Sequence, residues 1–399
     1  MRRIAALLIG LGLAMAPVLV GALPHIPAGD TVIVETLPLR YDPALSALAG
    51  LRQRVQQQPR DLAASLSLAR AYIEAARRDG DPRFLGYAQA TLAVWPEGAG
   101  AAAGVRVLRA TILQSLHQFG AALAELDAVL AMHADHAQAL LTRATILQVT
   151  GRFAEAQRDC AALLRDGGEV SAALCLGGVA SVTGRPSTAR SLAQHALAGT
   201  PAGDTAARLW AFTVLAETAN REGAFEQAAT YFQQALQADA SDRYARAAYC
   251  DFLLDRGEPG QVLAWTRDQT RDDNLLLRRA LALQALTGAA AGGAARAAWQ
   301  EQLNAAVAQL RERHAAAQQR GDRSHLREAA RLSLFLLRDP GDALRLAREN
   351  WAVQKEPADA RILLEAAIAA HDAATRAQLT AWLRSSGLTD TRLAALLRS

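Results

Sequence analysis

The hexapeptide RATILQ occurs twice in this chain, at Arg109–Gln114 and at Arg143–Gln148, 34 positions apart. Each copy is followed by a turn and a second helix-prone segment, HQFGAALAELDAVL from His117 and GRFAEAQRDCAALL from Gly151. Phe119 and Phe153 keep the same 34-residue spacing, as do Ala122 and Ala156. GRPSTARSLAQHAL from Gly184 continues one residue short of register, and GAFEQAATYFQQAL from Gly223 gives the pattern again. A fixed period of this kind means a supersecondary unit that cannot bury its apolar face alone and must stack on copies of itself.

The unit reads as two antiparallel helices packed closely. Small residues pair at the expected crossing points: Ala110 with Ala122, Ala144 with Ala156, Gly177 with Ala189, and Ala216 with Ala228. Larger apolar residues such as Leu113, Leu126, Leu147 and Phe232 flank them at helical spacing. Gly151, Gly184 and Gly223 stand where a first helix must stop and the chain reverse. Composition agrees, since Ala and Leu dominate and only 5% of residues are aromatic.

These segments resemble tetratricopeptide repeats (TPRs). The likeness is strongest over 103–136, 137–170, 171–203 and 209–242, and weaker over 62–96 and 243–274. The family's tryptophan and tyrosine positions are mostly replaced by leucine or alanine. The resemblance implies an all-α fold: a right-handed α-solenoid of antiparallel helix pairs, each burying its apolar side against the next and leaving a groove open to solvent. A TPR array over 42–274 is expected, then divergent helical repeats and a terminal cap over 275–399. In that second part a helix is expected at Leu275–Leu286, a long one at Ala294–Gln319, and pairs at Ser324–Arg338 with Gly341–Val353 and Asp359–Ala370 with Thr375–Ser385.

Ahead of the array, MRR, the apolar run Ile4–Val20 and the small-residue pattern Val20–Gly21–Ala22 read as a signal peptide over 1–22. An uncleaved inner-membrane anchor is the alternative. Residues 23–41 hold three prolines and read as a short extended arm. A periplasmic or secreted bacterial protein is therefore expected, without a stable membrane span after cleavage. The three cysteines, Cys160, Cys175 and Cys250, are too few for a disulfide scaffold, and they read first as small helix-packing residues. A Cys160–Cys175 bridge is the alternative.

Signatures of catalysis are missing. There is no G-x-S-x-G elbow, no H-E-x-x-H and no paired C-x-x-C. A P-loop needs lysine after glycine, and the sole lysine, Lys355, lies between Gln354 and Glu356. His133, Asp135 and His136 read as a solvated inter-repeat turn, so neither cofactor nor metal is expected. Seven arginines between Arg311 and Arg338, interrupted by Glu312, Asp322 and Glu328, read as a solvated helical face; a peripheral contact with anionic envelope polymers or lipids is the alternative. The net charge is only +4 and no basic stripe precedes residue 290, which argues against a nucleic-acid partner.

A solenoid directs attention to the inner face of the first helices. Residues four and three apart share it: Val107, Thr111 and Gln114; Leu141, Thr145 and Gln148; Leu174, Gly178 and Ser181; Thr213, Glu217 and Asn220; Ala247, Asp251 and Leu254. The polar members, Thr111, Gln114, Thr145, Gln148, Ser181, Thr213, Glu217, Asn220 and Asp251, are the candidate site. Thr and Gln donate and accept without carrying charge, which suits a peptide backbone. The expected function is a non-catalytic exported scaffold binding a protein or peptide partner, in cell-envelope assembly. The alternative is a cell-wall lytic enzyme with Glu217 or Asp251 as its carboxylate.

Overall fold

The computed structural model describes residues 43–267 and 272–398. Residues 1–22 and 23–41, read above as a signal peptide and an extended arm, lie outside the described residues. The chain divides into two units, residues 1–47 and 48–399, and the architecture below is that of the second. Among its described residues every regular element is helical.

α1 (Pro43–Gln57), α2 (Leu62–Asp79) and α3 (Arg83–Leu92) precede the hexapeptide repeats. Four helix pairs follow: α4 (Ala103–Ser115) with α5 (Phe119–Met132), α6 (Ala137–Val149) with α7 (Phe153–Ala162), α8 (Glu169–Val182) with α9 (Pro186–Gly199), and α10 (Thr205–Glu222) with α11 (Phe225–Ala238). Each first helix packs on its own second helix and on the first helix of the next pair, as stacking requires. This is a TPR-like α-solenoid. At the crossings Ala110, Ala122, Ala144, Ala156, Ala189, Ala216 and Ala228 are completely or almost completely buried. A Cβ at Gly177 would lie 3.5 Å from the Ala189 carbonyl oxygen, in ordinary van der Waals contact, so the two helices approach closely there.

The turn inside each pair is built the same way. Gly151, Gly184 and Gly223 take left-handed backbone, with φ of 80°, 69° and 81°. Behind each, an amide returns to the first helix: Arg152 N to Leu147 O at 2.7 Å, Arg185 N to Ala180 O at 3.1 Å, Ala224 N to Ala219 O at 2.9 Å. These bonds satisfy carbonyls that a helix end otherwise leaves open. His117 occupies the corresponding position in the first pair at φ 55°, with Gln118 N bonded to Leu113 O at 2.8 Å. New first helices start on aspartates: Asp204 accepts from the Ala207 amide and Asp242 from the Ala245 amide.

Cys160 on α7 and Cys175 on α8 form a disulfide with an S–S distance of 1.96 Å. The reading of both as unpaired fillers is corrected. They sit where a second helix packs on the next first helix, so the two thiols that fill this contact also face each other. The weak fifth repeat has a 13-residue α12 (Arg243–Asp255) and only a seven-residue α13 (Pro259–Trp265). Rings replace its missing helix packing: Tyr249 meets Phe232, Phe252 and Trp265 at centroid distances of 5.6, 6.1 and 5.6 Å.

After α14 (Asp273–Ala289) and the 26-residue α15 (Ala294–Gln319) the chain enters α16 (Leu326–Arg331). The single helix expected over 324–338 is interrupted: Leu332–Leu336 is a π-turn, closed by Leu337 N to Leu332 O at 3.0 Å. α17 (Pro340–Val353), α18 (Pro357–Ala369), α19 (Ala373–Ser386) and α20 (Thr391–Arg398) complete the chain.

These last helices correct the expectation that each hairpin buries itself only against the next. They lie against the turns of the hexapeptide repeats, far away in sequence. Lys355 N donates to Val149 O at 2.8 Å, and a Cβ at Gly151 would touch the Lys355 side chain at 3.0 Å. A Cβ at Gly184 would collide with the Gly387 carbonyl oxygen, and one at Gly223 would meet Thr391 at 3.5 Å. Three successive repeat turns thus receive three successive points of the C-terminal region. Val182 belongs to that region's apolar core, with Phe153 packed on it 6.4 Å from the Trp382 ring. Asp255 at the end of α12 accepts from Arg361 at 2.7 Å and pairs with Arg392 at 2.7 Å.

Candidate partner-binding groove

The inner face of the first helices divides into two parts. At its α10–α12 end, polar side chains are engaged within the fold. Ser181 and Thr218 hydroxyls lie 2.8 Å apart, and Arg221 donates to Ser181. Arg221 also pairs with Glu217 at 3.7 Å, and the Tyr244 hydroxyl donates to Glu217 at 2.6 Å. Glu217 beside it pushes the Tyr244 phenol well above its ordinary range, with burial acting in the same direction. Tyr244 still leaves 55% of its surface to solvent, which places it on a groove floor that water reaches. Its surroundings supply the electrostatic effect; its own surface remains available for contact.

Asp251 accepts from Arg278 at 2.6 Å and from Arg331 of α16 at 2.8 Å. Burial works against its charge, yet the two guanidinium groups outweigh that and hold the carboxyl well below the usual carboxylate range. One turn earlier on α16, Arg327 reaches Glu328, Glu356 and Asp359 at 3.2, 2.9 and 3.3 Å. Arg313 and Arg323 also form ion pairs, with Asp273 and Glu349. The reading of 311–338 as one solvated face is therefore corrected: Arg327 and Arg331 turn inward to carboxylates. An acid catalyst needs a carboxyl that can hold a proton near neutrality. Asp251 is held ionised by two arginines, and Glu217 is engaged with Arg221 and Tyr244.

The other inner-face positions, on α4, α6 and α10, differ. Thr111 and Thr213 are buried, their hydroxyls donating to the Val107 and Leu209 carbonyls at 2.9 and 2.8 Å, so neither presents a donor to the groove. Thr145 is exposed and donates to Leu141 O at 2.9 Å, leaving its oxygen lone pairs outward. Gln114, Gln148 and Asn220 are half-buried, and their side-chain amides make no hydrogen bond among the described residues. Gln148 lies across the next repeat: a Cβ on Gly178 of α8 would be 3.2 Å from its Oε1. The missing side chain of Gly178 is what lets that amide rest on the groove floor.

The structure thus brings Ser181, Glu217 and Asp251 into internal networks and leaves Gln114, Thr145, Gln148 and Asn220 with unused polar capacity. Sequence reasoning missed Tyr244 and Arg221, and read Arg327 and Arg331 as part of a solvated face. The only available signal was charge complementarity between the acidic groove positions and the arginines after 311. At the inter-repeat junction, His136 Nδ1 accepts from the Ala139 amide at 3.3 Å, capping α6. Among the described residues no group of three His, Cys, Asp or Glu could hold a metal, and no helix is long and apolar enough to cross a membrane.

No protein-family model matches the chain, and no curated protein matches it. Solved structures that it resembles include TPR proteins. A tetratricopeptide repeat protein from Parabacteroides merdae ATCC 43184 shares 15% identity, covering 61% of this chain and 97% of its own, with a TM-score of 0.36. The Cut9–Hcn1 hetero-tetramer of the APC/C gives 14% identity over 81% of this chain and 52% of the other, with a TM-score of 0.41. YrrB, described as a TPR protein with an unusual peptide-binding site, gives 22% identity over 46% and 92%, with a TM-score of 0.28.

Proposed function

We propose that this protein is an exported, non-catalytic scaffold that binds an extended segment of a protein partner along the inner face of α4, α6, α8 and α10. The observation that carries this reading is the row of side-chain amides, Gln114, Gln148 and Asn220, half-buried and without hydrogen-bond partners among the described residues. Each amide both donates and accepts, so it can pair with a peptide group on either side. Neighbouring helices stand about 8–10 Å apart, and an extended chain advances about 3.3 Å per residue. About three residues therefore cross each first helix, and about nine run from Gln114 to Asn220.

Export is supported by the sequence of residues 1–22 and, separately, by the Cys160–Cys175 bond, since such bonds persist in oxidising compartments. Work in envelope assembly is the proposed setting. Amino-terminal sequencing of the protein from a periplasmic fraction tests export; a mature start at Leu23 is expected, and a full-length cytoplasmic chain contradicts it.

Binding is tested with a peptide selected from a random nine-residue display library against the purified protein. Each lost amide bond costs about 0.5–1.5 kcal/mol, so Gln114→Ala and Gln148→Ala are each expected to weaken the selected peptide by about two- to tenfold. Melting temperatures should not move, because neither side chain is used internally. Unchanged affinity in the double variant removes the groove from the account.

A further inference from the structure

A second opening lies outside the hexapeptide repeats. α14, α15 and the π-turn line a cleft of about 300 Å³. Gln300, Asn304 and Arg311 line it from α15, with Leu303 and Val307 between them; Gln284 of α14 and Leu336 of the π-turn form the other wall. α15 buries only Ala306 and Leu310 along its 26 residues.

The polar groups of the cleft are arranged in order. Gln300 Nε2 donates to Asn304 Oδ1 at 2.9 Å, which leaves Gln300 Oε1 to accept and Asn304 Nδ2 to donate. Gln284 donates to Phe335 O at 2.9 Å, taking up a carbonyl of the π-turn and fixing Leu336 at the rim. Arg311 is exposed and forms no ion pair among the described residues, unlike Arg313, Arg327 and Arg331. A π-turn costs regular helical hydrogen bonding and recurs at functional sites. Here the next residue but one, Arg338, also takes left-handed backbone, φ 60°, which a side chain disfavours.

We infer that this cleft binds an extended peptide segment in which an aliphatic residue is followed, two positions later, by an acidic side chain. Asn304 and Arg311 are seven residues apart, about 10 Å along the helix, or about three residues of extended chain. Alternate side chains of such a chain face the same way. A peptide group held by Gln300 and Asn304 therefore places the next side chain over Leu303, Val307 and Leu336, and the second one after it at the Arg311 guanidinium. The unpaired positive charge selects the carboxylate, and the apolar wall selects the aliphatic residue. This site is separate from the inner-face groove.

The probe is a fluorescent hexapeptide, acetylated and amidated at its ends, of sequence GSLTES, so that its glutamate is the sole carboxylate. Saturable binding is expected, weakened at least about tenfold both by Arg311→Ala and by glutamine in place of the peptide's glutamate, since hydrogen bonds to charged groups contribute about 1.5–3 kcal/mol. Arg311→Glu should reject this probe and accept GSLTKS instead. Gln114→Ala with Gln148→Ala should leave the probe's affinity unchanged, which keeps this result separable from the fate of the groove. No saturable binding at millimolar peptide, or equal affinity in Arg311→Ala at an unchanged melting temperature, overturns the proposal. Binding that is lost in the groove variant instead also overturns it.

Discussion

His117 holds, in the first hexapeptide repeat, the left-handed turn position that glycine holds in the next three. Its ring stacks on Phe119 at 5.4 Å. Burial pushes its pKa down to about 4, and the neighbouring His325 and Arg327 add to the effect, against Glu328 and Asp322. Because the folded value lies below the ordinary value of about 6.5, the unfolded chain takes up this proton first as pH falls. Stability carried by neutral His117 is complete above about pH 6.5 and is lost between there and pH 4, at most about 3 kcal/mol in all. Asp359 acts in the opposite sense over part of that range, because burial raises its pKa to about 6. The comparison of wild type with His117→Asn isolates the histidine, since asparagine tolerates the same backbone without titrating. Urea midpoints are expected to fall less steeply from pH 7 to pH 4.5 in the variant; identical slopes would remove His117 from the acid response.

Helix pairs were legible in the sequence because their causes are local. Ala110 and Ala122, or Gly177 and Ala189, announce a close crossing by size alone, and Gly151, Gly184 and Gly223 announce reversal by their backbone freedom. The bounds of α15 could be read directly from its periodicity. What lay hidden depends on which side chains meet across space. Cys160 and Cys175 fit a helix contact equally well as separate thiols or as a bridge, and only their facing positions decide between these. The π-turn at Leu332–Leu336 carries no proline or glycine to mark it. It is held by tertiary partners, among them Ser333, which donates to Asp342 at 2.6 Å. The bridge belongs to this scale too. It closes a loop with a sequence separation of 15, for which chain entropy gives about 3 kcal/mol. Cys160→Ser with Cys175→Ser should lower denaturant stability by about that amount, and reductant should do the same to wild type but nothing to the variant. A wild type indifferent to reductant would show that the bond does not form.

Across the whole 48–399 unit, the period predicts contacts between neighbours and is silent on contacts between distant repeats. The inner-face threonines illustrate the consequence. Thr111 and Thr145 occupy equivalent places in identical hexapeptides, yet one is buried and the other exposed. Likewise Ser181, Glu217 and Asp251 share a face with Gln114 and Gln148, but Arg221 and the inward arginine Arg331 engage them. The repeat turns serve two purposes: they reverse the chain, and at Gly151, Gly184 and Gly223 they leave the space into which Lys355, Gly387 and Thr391 fit. Lys355 offers a direct report on that docking, because its amide donates to Val149 O, 206 positions earlier in the chain. Native-state hydrogen exchange at this single amide is the decisive measurement. If the C-terminal helices dock on the repeat turns, it should exchange at least about a thousandfold more slowly than an unstructured amide, since opening it requires sub-global separation. Exchange of the Lys355 amide at the free-peptide rate, with α6 itself still protected, would contradict the docked arrangement.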